Sequence, residues 1–245
     1  MCNRDIKSIK QSLREKIWSL MEERDIALFP RPVHGRIPNF KGADRAAMRL
    51  FLLDIWRSAK VVKVNPDSPQ KHVRFRALLE GKILLMPTPK LRKGFLLLDP
   101  KRIPRGDYNY ASTIKGAFKY GRTVPLNNIP RVDLIVTGSV LVDLYGNRIG
   151  KGGGYGDLEY GILVELGKVT LKTPVITTVH DVQISEEPLP YEEHDIVVDL
   201  IVTPTRTLKT IKKREKPKGI LWDRVTDDML EKIPILGVLK RKDKK

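Results

Sequence analysis

One cysteine in 245 residues, Cys2, excludes an internal disulfide framework and any thiolate-rich metal site. Its place beside the terminus makes it a surface thiol. Long hydrophobic runs are missing too. None approaches the roughly 18 residues of a membrane span, and the N-terminus lacks the apolar core of a secretion signal. A cytoplasmic chain without membrane contact is expected. Histidines number four, and nothing in the sequence sets them beside carboxylates at metal-ligand spacing, so no structural zinc site is expected. His34 reads as polar surface, and His194–Asp195 as the anchor of a turn. No serine elbow or Cys–His pair points to acyl transfer.

Acidic residues are also scarce beside basic ones: 29 Asp and Glu against 46 Lys and Arg, a net charge of +17. A field of that sign concentrates polyanions such as nucleotide phosphates, polyglutamate tails or nucleic acid, although a lysine-rich surface needs no such partner. Hydrophobic residues make up 41% of the chain, enough for a sizeable core. The length suits one large α/β domain, and nothing demands a second subunit, so a monomer is expected.

Ile6, Ile9, Leu13, Ile17 and Leu20 form an apolar stripe on a helix over 6–24, leaving Lys7, Lys10, Arg14 and Lys16 to face elsewhere. Prolines and glycines mark 28–42 as an ordered loop. A second helix is predicted over Ala43–Ser58, with Ala46, Ala47, Leu50, Phe51 and Ile55 inward. Short apolar or β-branched runs then predict strands at Val61–Val64, Ile83–Met86, Leu134–Thr137, Val140–Leu144, Val175–Val179 and Ile196–Val202. Most are continuous rather than alternating, as in strands covered on both faces. Helical patterns lie between them near Gln70–Leu79, Tyr110–Tyr120 and Asp157–Leu166. This interleaving implies βα units and a three-layer α/β domain with a mostly parallel sheet over 1–210. Residues 211–245 read as a basic extension with a short helix near Thr226–Lys232. It either docks through Ile220, Leu221, Trp222 and Leu230 or offers a surface to nucleic acid.

The segment RIGKGGGYGD (148–157) draws the most attention. Gly150, Gly152, Gly153 and Gly154 precede a helix predicted to start near Asp157. Glycines let backbone N–H groups approach an anion, and the helix N-terminus adds the positive end of its dipole. Arg148 and Lys151 supply formal charge. The pattern matches neither the P-loop nor the dinucleotide fingerprint. A phosphate cradle and a tight turn in a packed sheet both satisfy it. Asp157 is equally a helix N-cap or a magnesium ligand.

Together with its surroundings, this stretch resembles the 5-formyltetrahydrofolate cyclo-ligase family, in which an Arg–hydrophobe–Gly segment runs into a glycine-rich Tyr-Tyr-Asp loop. Lys10 and Arg14 resemble the family's Lys-x-x-x-Arg pair, GKILLMPTP (81–89) its glycine-lysine strand, and 132–150 the strand before the loop. VHDVQISEEPLPYEEHDIVVDLIVTPT (179–205) resembles its final motifs. The chain departs from the pattern at Gly153, where a second basic residue is usual, at Gly156, where a second tyrosine is usual, and at Leu158, where arginine is usual. The family's pterin-contacting acid is replaced within VNPDS (64–68). These departures, with RIPNFKGADRAA (36–47) and LRKGFLLLD (91–99), are closer to the methenyltetrahydrofolate-synthetase-domain branch.

The resemblance implies a sugar-phosphate-isomerase/CoA-transferase-like fold and a ligase of folate-linked one-carbon metabolism, using ATP and Mg²⁺ to convert 5-formyltetrahydrofolate to 5,10-methenyltetrahydrofolate. In such a reaction the formyl oxygen takes the γ-phosphoryl group, N10 attacks the activated carbon, and phosphate departs. It implies ATP binding by Lys10, Arg14, Arg148, Gly150, Lys151, Gly152, Gly153, Gly154 and Tyr155. Arg148, Lys151 and Tyr155 would act at the reacting atoms, and Asp157 would hold the metal. From pattern alone, Lys10 and Arg14 could instead be a solvated helix face paired with Glu15 and Glu22. The alternative function is a non-catalytic nucleotide- or RNA-binding relative, with RNA held by the basic tail; no RNA-recognition domain is visible.

Overall fold

The computed structural model describes residues 3–211 and 213–242. Cys2 and the last three residues of the terminal KRKDKK run lie outside them. Helix α1 (Asn3–Glu23) forms where the spacing predicts it, but its buried face is turned from the expected stripe. Lys10, Arg14, Ile17, Trp18 and Met21 are buried, while Ile6, Ile9, Leu13 and Leu20 are half-buried flanks. Lys10 and Arg14 therefore do not face solvent. Each finds a partner across the domain, and those contacts set the roll of the helix.

A two-residue ladder of β1 (Ala27–Leu28) and β2 (Asn39–Phe40) pins the proline-rich loop. The predicted helix over 43–58 is broken into α2 (Ala43–Phe51) and α3 (Asp54–Ser58), with Leu53 extended between them. In one continuous helix Trp56 would lie about 120° around the axis from Leu50. The break brings both into the core, fully buried, with Trp56 Nε1 donating to Glu80 Oε2 at 2.9 Å. Of the residues read as inward, Phe51 and Ile55 are only half-buried.

Then follow β3 (Val61–Val64), α4 (Lys71–Leu79), β4 (Ile83–Pro87), β5 (Phe95–Leu98), α5 (Tyr108–Ala111), α6 (Ile114–Tyr120), β6 (Arg122–Thr123) and β7 (Leu134–Thr137). After β7 the chain forms β8 (Leu141–Asp143), β9 (Arg148–Ile149), α7 (Tyr155–Glu165), β10 (Val175–Thr178), β11 (Ile184–Ser185), β12 (Leu200–Val202) and β13 (Thr207–Lys209). Helices α8 (Asp227–Lys232) and α9 (Pro234–Lys242) end the described chain. The main sheet has the order β13-β12-β10-β7-β3-β4-β5-β6. Its five central strands are parallel, and β5, β6 and β13 join antiparallel. The sheet is thus mixed, parallel through its five central strands and antiparallel at both edges. Antiparallel β5 is missing from the sequence reading because FLLL, a short apolar run, carries no sign of its direction.

Alternate strand residues feed two cores. Val62, Leu84, Leu134 and Ile176 face α2 to α6, whereas Leu85, Ile135, Val175 and Ile201 face α7 and α9. Helices on both faces give the three layers. The run at 140–144 does not join this sheet. Strand β8 pairs instead with β9 and β11 in a small separate sheet, closed against α1 by Ile17, Val140, Leu141 and Ile149. Only 200–202 of the run at 196–202 is strand. Its first half passes behind the glycine loop, with Ile196 N donating to Asp157 and Val198 N to the Gly146 carbonyl.

The C-terminal segment packs on the α7 face. Ile220, Ile233, Leu236 and Leu239 are buried there, with Trp222 and Leu230 half-buried against the same cluster. Within the basic run, Lys216 is buried and donates to the Thr173 carbonyl and Asp199 Oδ2, both at 2.6 Å.

Candidate functional site

Strands β8 and β9 form a hairpin whose turn is tied by buried Asp143. Its carboxylate accepts from the N–H groups of Tyr145, Asn147 and Leu189, and from the Asn147 amide. This rigid turn delivers Arg148 into the interior, 6% exposed. Arg148 Nη2 donates to Asp157 Oδ1 at 2.9 Å and Nη1 to the Gly138 carbonyl at 3.2 Å. Its Nε is buried without a partner among the described residues.

The loop leads into α7, whose N-cap is Gly154 at φ 66°. Asp157 lies in the first turn, so the N-cap reading of it is corrected: the helix starts two residues earlier than predicted, at Tyr155. Gly152 (φ 104°) and Gly154 adopt left-handed backbone that a side chain would strain. A Cβ on Gly156 would lie 2.9 Å from Arg148 Nη2, so a side chain there would have to push the guanidinium aside. Among the described residues, no acceptor is hydrogen-bonded to any backbone N–H from Lys151 to Asp157. Such a run of unengaged N–H groups at a helix N-terminus favours an anion.

Two cavities meet at this loop. The first, of about 530 Å³, is lined by Lys10, Arg14, the loop and the segment 219–233. The second, of about 510 Å³, is lined by Ile37, Asn65, Asp67, Thr88, Lys151 and Glu159 on its side. Arg148, Gly150, Gly153, Gly154, Tyr155 and Asp157 border both. Each cavity has the size of a small-molecule site.

The residues singled out from the sequence converge here, on different sides. Arg14 Nε donates to the Gly150 carbonyl at 2.7 Å, and its guanidinium lies under Gly152. Lys10 Nζ donates to Asp195 Oδ2 at 2.6 Å and Glu192 Oε2 at 3.1 Å. Burial alone would raise the Glu192 carboxyl, but the hydrogen bond and charge of Lys10 hold it below its ordinary value. Glu15 and Glu22, the partners read from local spacing, form no ion pair with either residue among the described ones, and Glu15 acts on Arg14 only through its charge. Lys151 stands across the loop, paired with Asp67 at 3.0 Å and half exposed. Tyr155 opens α7 with its ring beside Gly153, where a Cβ would meet it at 2.9 Å. Asp157 Oδ1 is taken by Arg148 and Ile196 N, whereas Oδ2 carries no hydrogen bond among the described residues. One open carboxylate oxygen is what Mg²⁺ needs when substrate phosphates and water complete its shell.

Two clusters escape the sequence reading. Glu192, His194 and Asp195 come within 4.8 Å of one another, which corrects the expectation that no histidine meets carboxylates at such spacing. The Lys10 ammonium already bridges the two acids. Buried Lys63 in β3 pairs with Glu159 of α7 at 2.5 Å and with Asn65 at 2.8 Å. Burial pushes the Glu159 carboxyl up against the opposing pull of Lys63. A lysine inside VVKV was the available signal, because a buried strand tolerates a cation only opposite an acid.

Residues 6–204 match the model of the 5-formyltetrahydrofolate cyclo-ligase family. The methenyltetrahydrofolate synthase domain-containing protein of Mus musculus is 48% identical over 238 residues, covering 96% of this chain and 64% of that protein. Its Homo sapiens counterpart is 46% identical over 237 residues, covering 96% and 62%. The chain therefore spans less than two thirds of the length of these relatives. A 5-formyltetrahydrofolate cyclo-ligase of Escherichia coli is 36% identical over 78 residues, 32% of this chain and 40% of that one. The NMR structure of Aquifex aeolicus 5,10-methenyltetrahydrofolate synthetase aligns with a TM-score of 0.54 at 22% identity, over 84% of this chain and 95% of that one, a likeness of fold.

Proposed function

The chain belongs to the 5-formyltetrahydrofolate cyclo-ligase family, and from that membership we propose that it converts 5-formyltetrahydrofolate to 5,10-methenyltetrahydrofolate with hydrolysis of ATP to ADP and phosphate. The observation that carries the proposal is the glycine loop as a shared wall. A two-substrate phosphoryl transfer needs both ligands held apart except at the reacting atoms, where charge is neutralised. ATP occupies the first cavity, its phosphates at Lys10, Arg14 and the unengaged N–H groups. The reduced folate occupies the second, with its formyl oxygen toward the loop. The γ-phosphoryl group passes where the cavities meet, at Arg148, whose Nη groups are held by Asp157 and the Gly138 carbonyl and whose Nε has no partner among the described residues. Lys151 approaches from the folate side, and Tyr155 packs against or hydrogen-bonds the substrate. Mg²⁺ held by Asp157 and the phosphates would neutralise further charge. As the formyl oxygen is phosphorylated, N10 closes on the carbon and phosphate leaves.

The test is purified protein with Mg-ATP and 5-formyltetrahydrofolate, following the near-ultraviolet absorbance of the methenyl product and ADP release together. Stoichiometric appearance of both, lost in Arg148→Met, is the expected result. Product that forms equally well without ATP, or in Arg148→Met, refutes the proposal.

One observation favours a second reading, nucleotide binding without turnover. Lys10, Lys151 and Arg148 each face a protein carboxylate. ATP binding with no product would establish it. RNA contact in that case would fall to exposed Lys209, Lys213 and Lys218, and their replacement by serine would abolish salt-sensitive RNA retention.

A further inference from the structure

About a third of the residues lining the first cavity belong to a segment that lies beyond the family match, which ends at residue 204. This segment is clamped at both ends. Upstream, Arg214 donates to Asn147 Oδ1 and the Asp195 carbonyl, both at 2.9 Å, and Ile220 N donates to Glu165 Oε1 at 3.1 Å. It crosses α7 at glycine-to-glycine contact. A Cβ on Gly161 would lie 2.9 Å from the Gly219 carbonyl oxygen, and one on Gly219 would lie 2.5 Å from Glu165 Oε1. Downstream, Ile233 and Leu236 are sunk in the core, 1% and 0% exposed.

Between the clamps, Leu221, Val225 and Met229 are left half-buried and line the cavity, with Leu158 of α7. Apolar side chains held in place by their neighbours, yet not covered by them, suit a flat apolar ligand group. The same cavity is also lined by Arg14, Arg148 and the glycine loop with its unengaged N–H groups. One ligand that satisfies both linings is anionic in one part and planar and apolar in another.

We propose that residues 219–233 form a nucleobase wall, in which Leu221, Val225 and Met229 take the face of the purine whose phosphates lie at the glycine loop. The assignment rests on the nucleotide reading of the first cavity. It adds to that reading a base-recognition element that the matched family core does not supply. Met229 is suited to this place, because an unbranched thioether adapts to a flat ring.

The experiment titrates the native chain and two variants, Met229→Asp and Met229→Ala, with Mg-ATP and with Mg-tripolyphosphate. The native chain holds ATP at least about tenfold more tightly than tripolyphosphate, the worth of burying part of a ring. Met229→Asp loses most of that ratio, and Met229→Ala a smaller part in the same direction. Met229→Ala keeps the native affinity for tripolyphosphate, which also reports that the loop is folded, whereas the carboxylate of Met229→Asp repels both anions and leaves the ratio as its readout. An unchanged ratio in both variants overturns the nucleobase wall and leaves the phosphate site standing. Failure of the native chain to bind either ligand overturns both.

Discussion

Replacing Glu159 by leucine leaves the Lys63 ammonium buried without a counter-charge. The pair is 2% and 6% exposed at its side chains, its Nζ–Oε2 separation is 2.5 Å, and among the described residues Lys63 keeps Asn65 Oδ1 as its one other acceptor. In the variant the cation stays buried, approached by water only from the second cavity, which Glu159 and Asn65 border. Breaking such a pair from one side costs about 3–5 kcal/mol. At 2–4 °C per kcal/mol for a chain of this size, Glu159→Leu should lower Tm on the order of 10 °C. Lys63→Met combined with Glu159→Leu replaces both charges with apolar volume, and its stability should return to within about 1–2 kcal/mol of native. Urea unfolding of the native chain, both single variants and the double gives the coupling directly. A Glu159→Leu cost below about 1 kcal/mol, or a double variant as unstable as the sum of the singles, would refute the claim that the pair is buried and mutually dependent.

Gly156→Ala should displace the Arg148 guanidinium, since the new methyl would lie 2.9 Å from Nη2. Nucleotide titration should then show affinity lowered about tenfold, the worth of one charged hydrogen bond, and Tm should fall as well, because the buried Arg148–Asp157 pair is disturbed. His180 caps a short turn by accepting from Val182 N through Nδ1 at 3.3 Å, and burial, against the opposing charge of Asp181 and with that of Arg45, holds its pKa below the ordinary value. Its contribution to stability is therefore full above about pH 6.5, the unfolded value, and is lost as pH falls through the lower folded value. Urea midpoints at pH 7.5 and pH 5.5 should differ less in His180→Asn, whose amide oxygen caps without titrating; an unchanged difference would remove His180 as a cause. Glu192, depressed by Lys10, carries the same sign at lower pH: its contribution is present above about pH 4.3 and fades as pH drops through its folded value. Lys10→Met should flatten acid unfolding in that range, read by tryptophan fluorescence.

What could be read from the sequence followed from local chemistry. The glycine loop, Arg148 and the parallel strands at 61–64, 83–86, 134–137 and 175–178 declare themselves through neighbouring residues, and the structure forms them there. Lys10 was legible as a site candidate, but its partners lie more than 180 residues away, where no helical spacing points. The spacing of Ile6, Ile9 and Leu13 suggested one buried face; the long-range pairs of Lys10 and Arg14 selected another. Lys151 reads as a companion to Arg148 by proximity in sequence, yet Asp157 and the Gly138 carbonyl hold the arginine inward while Asp67 draws the lysine to the second cavity. Similarly, the tail reads as a charged extension because lysines dominate its composition, whereas its sparse apolar residues, Ile220, Ile233, Leu236 and Leu239, decide where it goes.

The central claim is that one loop serves two cavities at once. Equilibrium binding of a non-hydrolysable ATP analogue and of 5-formyltetrahydrofolate, each measured with the other absent and at saturation, tests it most directly. The account predicts a ternary complex in which Arg148→Met weakens both ligands, Arg14→Met weakens the nucleotide alone, and Asn65→Leu weakens the folate alone. Mutual exclusion of the two ligands, or loss of only one of them in Arg148→Met, would contradict it.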